Sequence, residues 1–196
     1  MGNTLRTFVA LPVPDAVTRF LKRMQERLHT PVANIRWVPV ANIHLTLKFL
    51  GDIDPSMVEV INAQMDAAAR LIRPFTLTAE GVGVFPNLRQ ARVLWVGLIG
   101  DMKPLEALYH HLESGLETLG FTRDHRAFRA HLTIGRTRQR TDPKTLGTLL
   151  ESLKTEASDP FDVDQIRLYQ SVLTSFGAEY TPLHTAHLAA SAVVNP

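Results

Sequence analysis

The chain holds 196 residues, 45% of them hydrophobic and 20% charged, an ordinary globular composition that excludes a disordered or low-complexity protein. It has no cysteine, which excludes disulfides, thiolate metal sites and a cysteine nucleophile and fits a reducing cytoplasm. A net charge of +2 does not by itself indicate a nucleic-acid partner. No apolar run nears the roughly 18 residues that span a bilayer and the N-terminus lacks a signal-peptide core, so a soluble cytoplasmic protein is expected.

In chain order, Thr7–Leu11 predicts a short buried strand that Pro12 and Pro14 end. Val17, Phe20, Leu21, Met24 and Leu28 then recur at helical spacing. Ile35–Val38 predicts a brief strand broken by Pro39. Residues 43–51 alternate as a strand with Ile43, Leu45, Leu47 and Phe49 on a core face and His44, Thr46 and Lys48 on the other. Asp54 and Pro55 read as the N-cap and first residue of a second helix, striped by Val58, Ile61, Met65, Ala68 and Ile72. Strands are expected from Phe75, extended through Gly81–Pro86, and over Arg92–Leu98. Leu105, Leu108, Leu112, Leu116 and Leu119 mark a third helix that Gly120 closes. Residues 130–136 form a strand with Leu132 and Ile134 on one face and His131 and Thr133 on the other. A fourth helix opens at Asp142-Pro143, and the chain from Phe161 to Ala189 reads as strands turning at Gly177.

The two His-x-Thr triplets lie 131 − 44 = 87 residues apart, and at that offset Phe8–Leu11 meets Trp95–Leu98, Arg36 meets Arg123, and the Pro55 and Pro143 helix starts agree within one residue. Each half therefore reads strand, helix, short strand, histidine strand, helix, strand. The expectation is one domain over residues 1–196, made of two similar lobes whose histidine strands line a single cleft.

Histidine is the side chain that exchanges a proton near neutrality, and two across one cleft suit a reaction that needs a base on one side and an acid on the other. Phosphodiester hydrolysis is such a reaction: water loses a proton while the leaving oxygen gains one. Thr46 and Thr133 project on the same faces as the histidines and can donate to non-bridging phosphate oxygens. Lys48 and Arg136 add positive charge. The arrangement demands no metal and no cofactor.

His44-Leu-Thr-Leu with Lys48-Phe-Leu-Gly51, and His131-Leu-Thr-Ile with Arg136, resemble the paired motifs of the two-histidine phosphoesterase superfamily, specifically its RNA 2',3'-cyclic phosphodiesterases, formerly called 2'-5' RNA ligases. Residues 6–11, 73–75, 83–86, 92–95 and 173–180 are similar to that family as well, so the likeness covers nearly the whole chain. The resemblance implies a bilobal α+β fold, a pseudo-twofold repeat of antiparallel sheets flanked by helices around a central cleft. It implies metal-independent hydrolysis of a terminal 2',3'-cyclic phosphate on RNA or a nucleotide to a 2'-phosphate, with His44 and His131 catalytic. Carried over by position, His44 protonates the departing 3' oxygen and His131 activates water. Two alternatives stay open: ligation of cyclic-phosphate ends to a 5'-hydroxyl, and binding of RNA ends without turnover. No protein partner is implied.

A single strand histidine is most often structural, and only the repeated motif sets His44 and His131 apart. His29, His110 and His111 are expected at the surface, His125, close before the second triplet, is more readily a structural residue than one touching substrate, and His184 and His187 are expected in a terminal strand without a metal. Arg123, Arg126, Arg129, Arg136, Arg138 and Arg140 crowd the second triplet, either as a solvated basic face or as a phosphate-collecting rim. Phe85, Phe128 and Tyr180 are candidates to stack a base.

Overall fold

Among the residues described in this computed structural model, 4–29, 35–137, 142–175 and 177–190, nine strands and four helices follow one another. They are β1 (Leu5–Pro12), α1 (Asp15–Leu28), β2 (Ile35–Trp37), β3 (His44–Ile53), α2 (Met57–Ala69), β4 (Phe75–Phe85), β5 (Val93–Gly100), α3 (Met102–Glu117), β6 (His131–Thr137), α4 (Pro143–Ser152), β7 (Phe161–Val163), β8 (Gln165–Thr174) and β9 (Gly177–His187). The strands join into one sheet in the order β7-β4-β5-β6-β3-β1-β8-β9, with β2 added to β6 and every pairing antiparallel.

Helical spacing decides which surfaces the helices bury. Val17, Phe20, Leu21, Met24 and Leu28 of α1 are all buried, as are Leu105, Leu108, Leu112 and Leu116 of α3. They share one continuous core with Val9 and Leu11 of β1, Leu45 and Leu47 of β3, Leu94 and Val96 of β5, and Leu132 and Ile134 of β6. The helices thus cover one face of the sheet, and the alternating partners of these residues are left on the other. Asp142 caps α4 as its sequence predicts, its Oδ2 accepting from the Thr145 N–H at 2.8 Å. Asp54 does not cap α2 directly. It accepts from Ser56, and two tight i to i−3 bonds, Met57 to Asp54 and Val58 to Pro55, precede a helix that begins at Met57.

The two halves of the sequence exchange strands. β4, from the first half, pairs with β5, and β8, from the second, pairs with β1. A short strand expected before β6 is absent; residues 121–130 run there without regular structure, so β2 has no counterpart. The repeat also slips by two residues at its outer strands. Pro12 lies across from His44 and Gly97 across from His131, an offset of 97 − 12 = 85 rather than 87. Both strands are nearly continuous apolar runs, in which a two-residue shift leaves the pattern of faces unchanged.

Candidate active site

A single pairing, Leu45 with Leu132, joins β3 to β6 at the centre of the sheet. Both leucines point into the core, so the residues on either side point out of it. Extended from that one pair, the antiparallel register turns His44 towards Thr133 and Thr46 towards His131. The two triplets lie side by side and run in opposite directions, which gives the four polar side chains an approximate twofold arrangement.

The histidines are held alike. His44 Nδ1 lies 2.9 Å from the Asn42 carbonyl oxygen, and His131 Nδ1 lies 2.6 Å from the Arg129 carbonyl oxygen, in both cases the residue two positions earlier. A carbonyl only accepts, so the Nδ1 proton is fixed and Nε2 of each neutral ring is the free base. Their surroundings differ. The His44 ring stacks on Phe8 (centroids 4.7 Å, planes 25° apart), with Tyr180 edge-on at 5.4 Å and Tyr169 at 6.3 Å. Burial among these rings lowers its pKa to about 4, against the opposing effect of the Asn42 hydrogen bond. His131 meets the edge of one ring, Phe85, at 5.0 Å. Phe85 and Tyr180, two of the three expected base-stacking candidates, therefore border the histidines. Phe128 does not, for it stacks on Tyr109 at 4.2 Å and packs against the core.

Lys48 does not join the row. Val9 pairs with Lys48 and Ala10 with Thr46, which leaves Leu47 unpaired in a β-bulge, and the extra residue reverses the alternation beyond it. Lys48 turns to the helix side and is 8% exposed there. Its Nζ lies 2.7 and 2.9 Å from the two carboxylate oxygens of Glu113 on α3 and donates to the Thr122 carbonyl at 2.6 Å. Phe49, expected in the core, is 67% exposed on the site face, where it meets Phe8 at 5.9 Å. The same bulge recurs in β6. Trp95 pairs with Thr133 and Leu94 with Gly135, leaving Ile134 unpaired, again 134 − 47 = 87 residues on. There the reversal buries Gly135 and brings Arg136 to the site face, exposed.

Of the six arginines around the second triplet, two are engaged locally. Arg123 pairs with Glu117 at 2.8 Å, and Arg126 pairs with Asp124 at 2.9 Å and holds that carboxyl at about 2. Arg129 lies over the Phe85 ring at 5.9 Å. Arg138 and Arg140 lie outside the described residues. His184 sits on the helix face, 2.9 Å from Asp66 of α2, an acidic partner its own strand did not reveal. Among the described residues no three His, Asp or Glu side chains converge as metal ligands would. Reading the sequence alone missed Phe8, because a continuously apolar strand does not say which residues face a site, and Tyr169, because the alternation of β8 does not say what its outer face meets; it also missed Asn42, whose contribution is a backbone carbonyl.

The RNA 2',3'-cyclic phosphodiesterase of Archaeoglobus fulgidus is 33% identical over 91% of this chain and 98% of its own length, and that of Aquifex aeolicus is 31% identical over 95% and 98%. The structure of Escherichia coli LigT complexed with 3'-AMP superimposes with a TM-score of 0.74 at 25% identity, covering 95% of this chain and 99% of that one. A model of LigT-like phosphoesterases matches residues 11–95 and 99–178, one segment around each histidine triplet, and with these relatives it establishes that the chain belongs to the LigT-like phosphoesterase family.

Proposed function

We propose that this protein hydrolyses the 2',3'-cyclic phosphate at the end of an RNA to a 2'-phosphate, in the cytoplasm, with two histidines as its proton carriers. The observation that carries the reading is the antiparallel join at Leu45 and Leu132, which brings together two imidazoles with equally fixed Nδ1 protons and two threonine hydroxyls. The names of the relatives and the nucleotide held by the Escherichia coli protein support the same substrate class.

In this reading Thr46 and Thr133 donate to the non-bridging oxygens of the cyclic phosphate. His131 Nε2 takes a proton from a water whose oxygen attacks phosphorus. As the bond from phosphorus to O3' breaks, His44 Nε2–H delivers a proton to O3', and the 2'-phosphate remains. His44 is neutral in the empty site above pH of about 4. The substrate supplies what its acid role needs, because a phosphate anion against the ring favours the imidazolium. Lys48, paired with Glu113 behind the sheet, takes no part.

The test incubates the protein with an oligonucleotide ending in a 2',3'-cyclic phosphate and analyses the product ends. A 2'-phosphate is expected. A joined 2'-5' product makes the protein a ligase, and unchanged substrate held in a complex makes it a binding module. His44→Ala and His131→Ala are each expected to lower kcat by about 10²- to 10⁴-fold with circular dichroism unchanged. Near-wild-type turnover by either variant rules out a two-histidine mechanism.

A further inference from the structure

We infer that Gln25 is a positioning residue for the reaction: from behind the sheet, its one amide group fixes the segment leading into the His44 strand against the bulge that follows Thr133. The inference rests on the reading of the two histidines as partners in hydrolysis and adds what sets their spacing.

Gln25 lies beside Met24 on α1, one turn from the buried Leu21 and Leu28. A leucine there would extend that apolar stripe. The side chain is instead a half-buried amide that ends on two backbone carbonyls, with Nε2 2.7 Å from the Val38 oxygen and 2.9 Å from the Ile134 oxygen. Both oxygens only accept, so the NH2 end of the amide faces them and gives one hydrogen to each.

Each carbonyl leads to one histidine. Ile134 follows Thr133 and is the residue that the β6 bulge leaves without a partner on β5. Its carbonyl is taken up from the other side, by the Val38 N–H at 3.0 Å as well as by Gln25. Gly135, next in β6, lets β2 seat against the strand here, since a Cβ would lie 2.7 Å from the Ile35 side chain and 3.1 Å from the Trp37 ring. Val38 directly follows β2. After it, Pro39 opens a single 3-10 turn over Val40–Asn42, closed by the Asn42 N–H to the Pro39 carbonyl at 2.8 Å and the Ile43 N–H to the Val40 carbonyl at 3.1 Å. That turn delivers Asn42, whose carbonyl orients the His44 ring.

β3 and β6 meet directly at one residue pair, Leu45 with Leu132. A single pair is a pivot, so the angle between the histidine strands depends on what holds them to either side of it. Gln25 joins the approach to one strand to the continuation of the other, and does so from a helix anchored by Val17, Phe20, Leu21, Met24 and Leu28. An acid and a base that reach one phosphate from opposite sides lose rate when their separation changes by a fraction of a bond length.

The experiment compares the full-length wild type, Gln25→Met and Gln25→Lys on a nucleoside 2',3'-cyclic phosphate, at a temperature where circular dichroism shows each of them folded. Methionine keeps the length and has no donor, whereas the lysine ammonium can donate to both carbonyls. Gln25→Met is expected to lower kcat about tenfold and to leave KM within about twofold, because substrate binding tolerates a misalignment that proton transfer does not. Gln25→Lys is expected to keep kcat within about threefold of the wild type. A merely structural role moves neither constant in molecules that are folded. An unchanged kcat in Gln25→Met, a loss confined to KM, or equal losses of kcat in the two variants overturns the positioning role. If Gln25→Met does not fold, Gln25→Asn, whose amide is one methylene too short to span both carbonyls, takes its place with the same expectation. Failure of the wild type to open the cyclic phosphate instead overturns the hydrolase reading. The positioning is then judged by NMR without turnover: the Nδ1–H signals of His44 and His131 should both shift in Gln25→Met and return in Gln25→Lys, and signals left at their wild-type places overturn it.

Discussion

The environment of His44 makes the proposed proton-transfer residue into a stability determinant. A histidine in the unfolded chain titrates near 6.5, and burial against Phe8, Tyr169 and Tyr180 brings His44 to about 4 in the folded protein. Above pH 6.5 the ring is neutral in both states and costs nothing. As pH falls from 6.5 towards 4, the unfolded chain takes up a proton that the folded chain refuses, so stability drops, by about 3 kcal/mol once pH is below both values. His44→Gln removes this loss. Urea unfolding at pH 7.5 and pH 4.5 is expected to show a smaller fall for the variant than for the wild type, and equal falls would mean that the ring is not held neutral. The acid role assigned to His44 has its own signature. NMR titration of its ring should show the pKa rise when a nucleoside 2'-phosphate binds, and a ring that stays near 4 in that complex gives the acid role to His131.

At the scale of elements, the β-bulge at Leu47 commits β3 to two tasks. His44 and Thr46 face the candidate site, while Lys48, one step past the bulge, fastens α3 and the loop after it from behind. Glu113 accepts from Lys48 and also from the Asp124 N–H at 3.1 Å, and Lys48 donates to the Thr122 carbonyl, so a single buried pair fixes the start of the segment that leads to Arg129 and His131. With Lys48 8% and Glu113 4% exposed, Glu113→Ala leaves an ammonium buried without its counterion. The expected cost is about 3–5 kcal/mol in chemical denaturation, and the double change Lys48→Met with Glu113→Leu recovers most of it. A loss under about 1 kcal/mol for Glu113→Ala would show that water reaches the pair. The bulge also marks where the sequence stops being legible. Period two places His44 and Thr46 correctly, because pairing from residue 44 to residue 46 is regular. It misplaces Lys48 and Phe49, because no residue type announces the extra Leu47. Arg136 escapes the same error only through the second bulge, since strict alternation would have put it in the core.

The whole molecule adds what no segment carries alone. Helix faces, the repeat of histidine strands and the capped start of α4 were readable because each is local in sequence. The turn at Gly177 was readable too, but the exchange of β4 and β8 between the halves, and the placing of the β8–β9 hairpin over His44, depend on which strands meet, and apolar strands of similar composition do not declare their partners. That hairpin ties the fold to the chemistry through Asn42, whose carbonyl accepts from His44 Nδ1 and whose side-chain amide donates to Ala178. Tyr180, on the same hairpin, supplies part of the burial that keeps His44 neutral. Asn42→Ala retains the carbonyl and removes only the tie, a loss of about 1 kcal/mol for one neutral hydrogen bond. The hairpin should then open about fivefold more often, read as faster amide exchange at residues 177–181 with little change in β5 or β6. As Tyr180 withdraws, the pKa of His44 should rise from about 4 towards 6.5, moving the acid limb of the stability profile with it. Unchanged exchange together with an unchanged His44 titration would show that the aromatic packing alone holds the hairpin over the site.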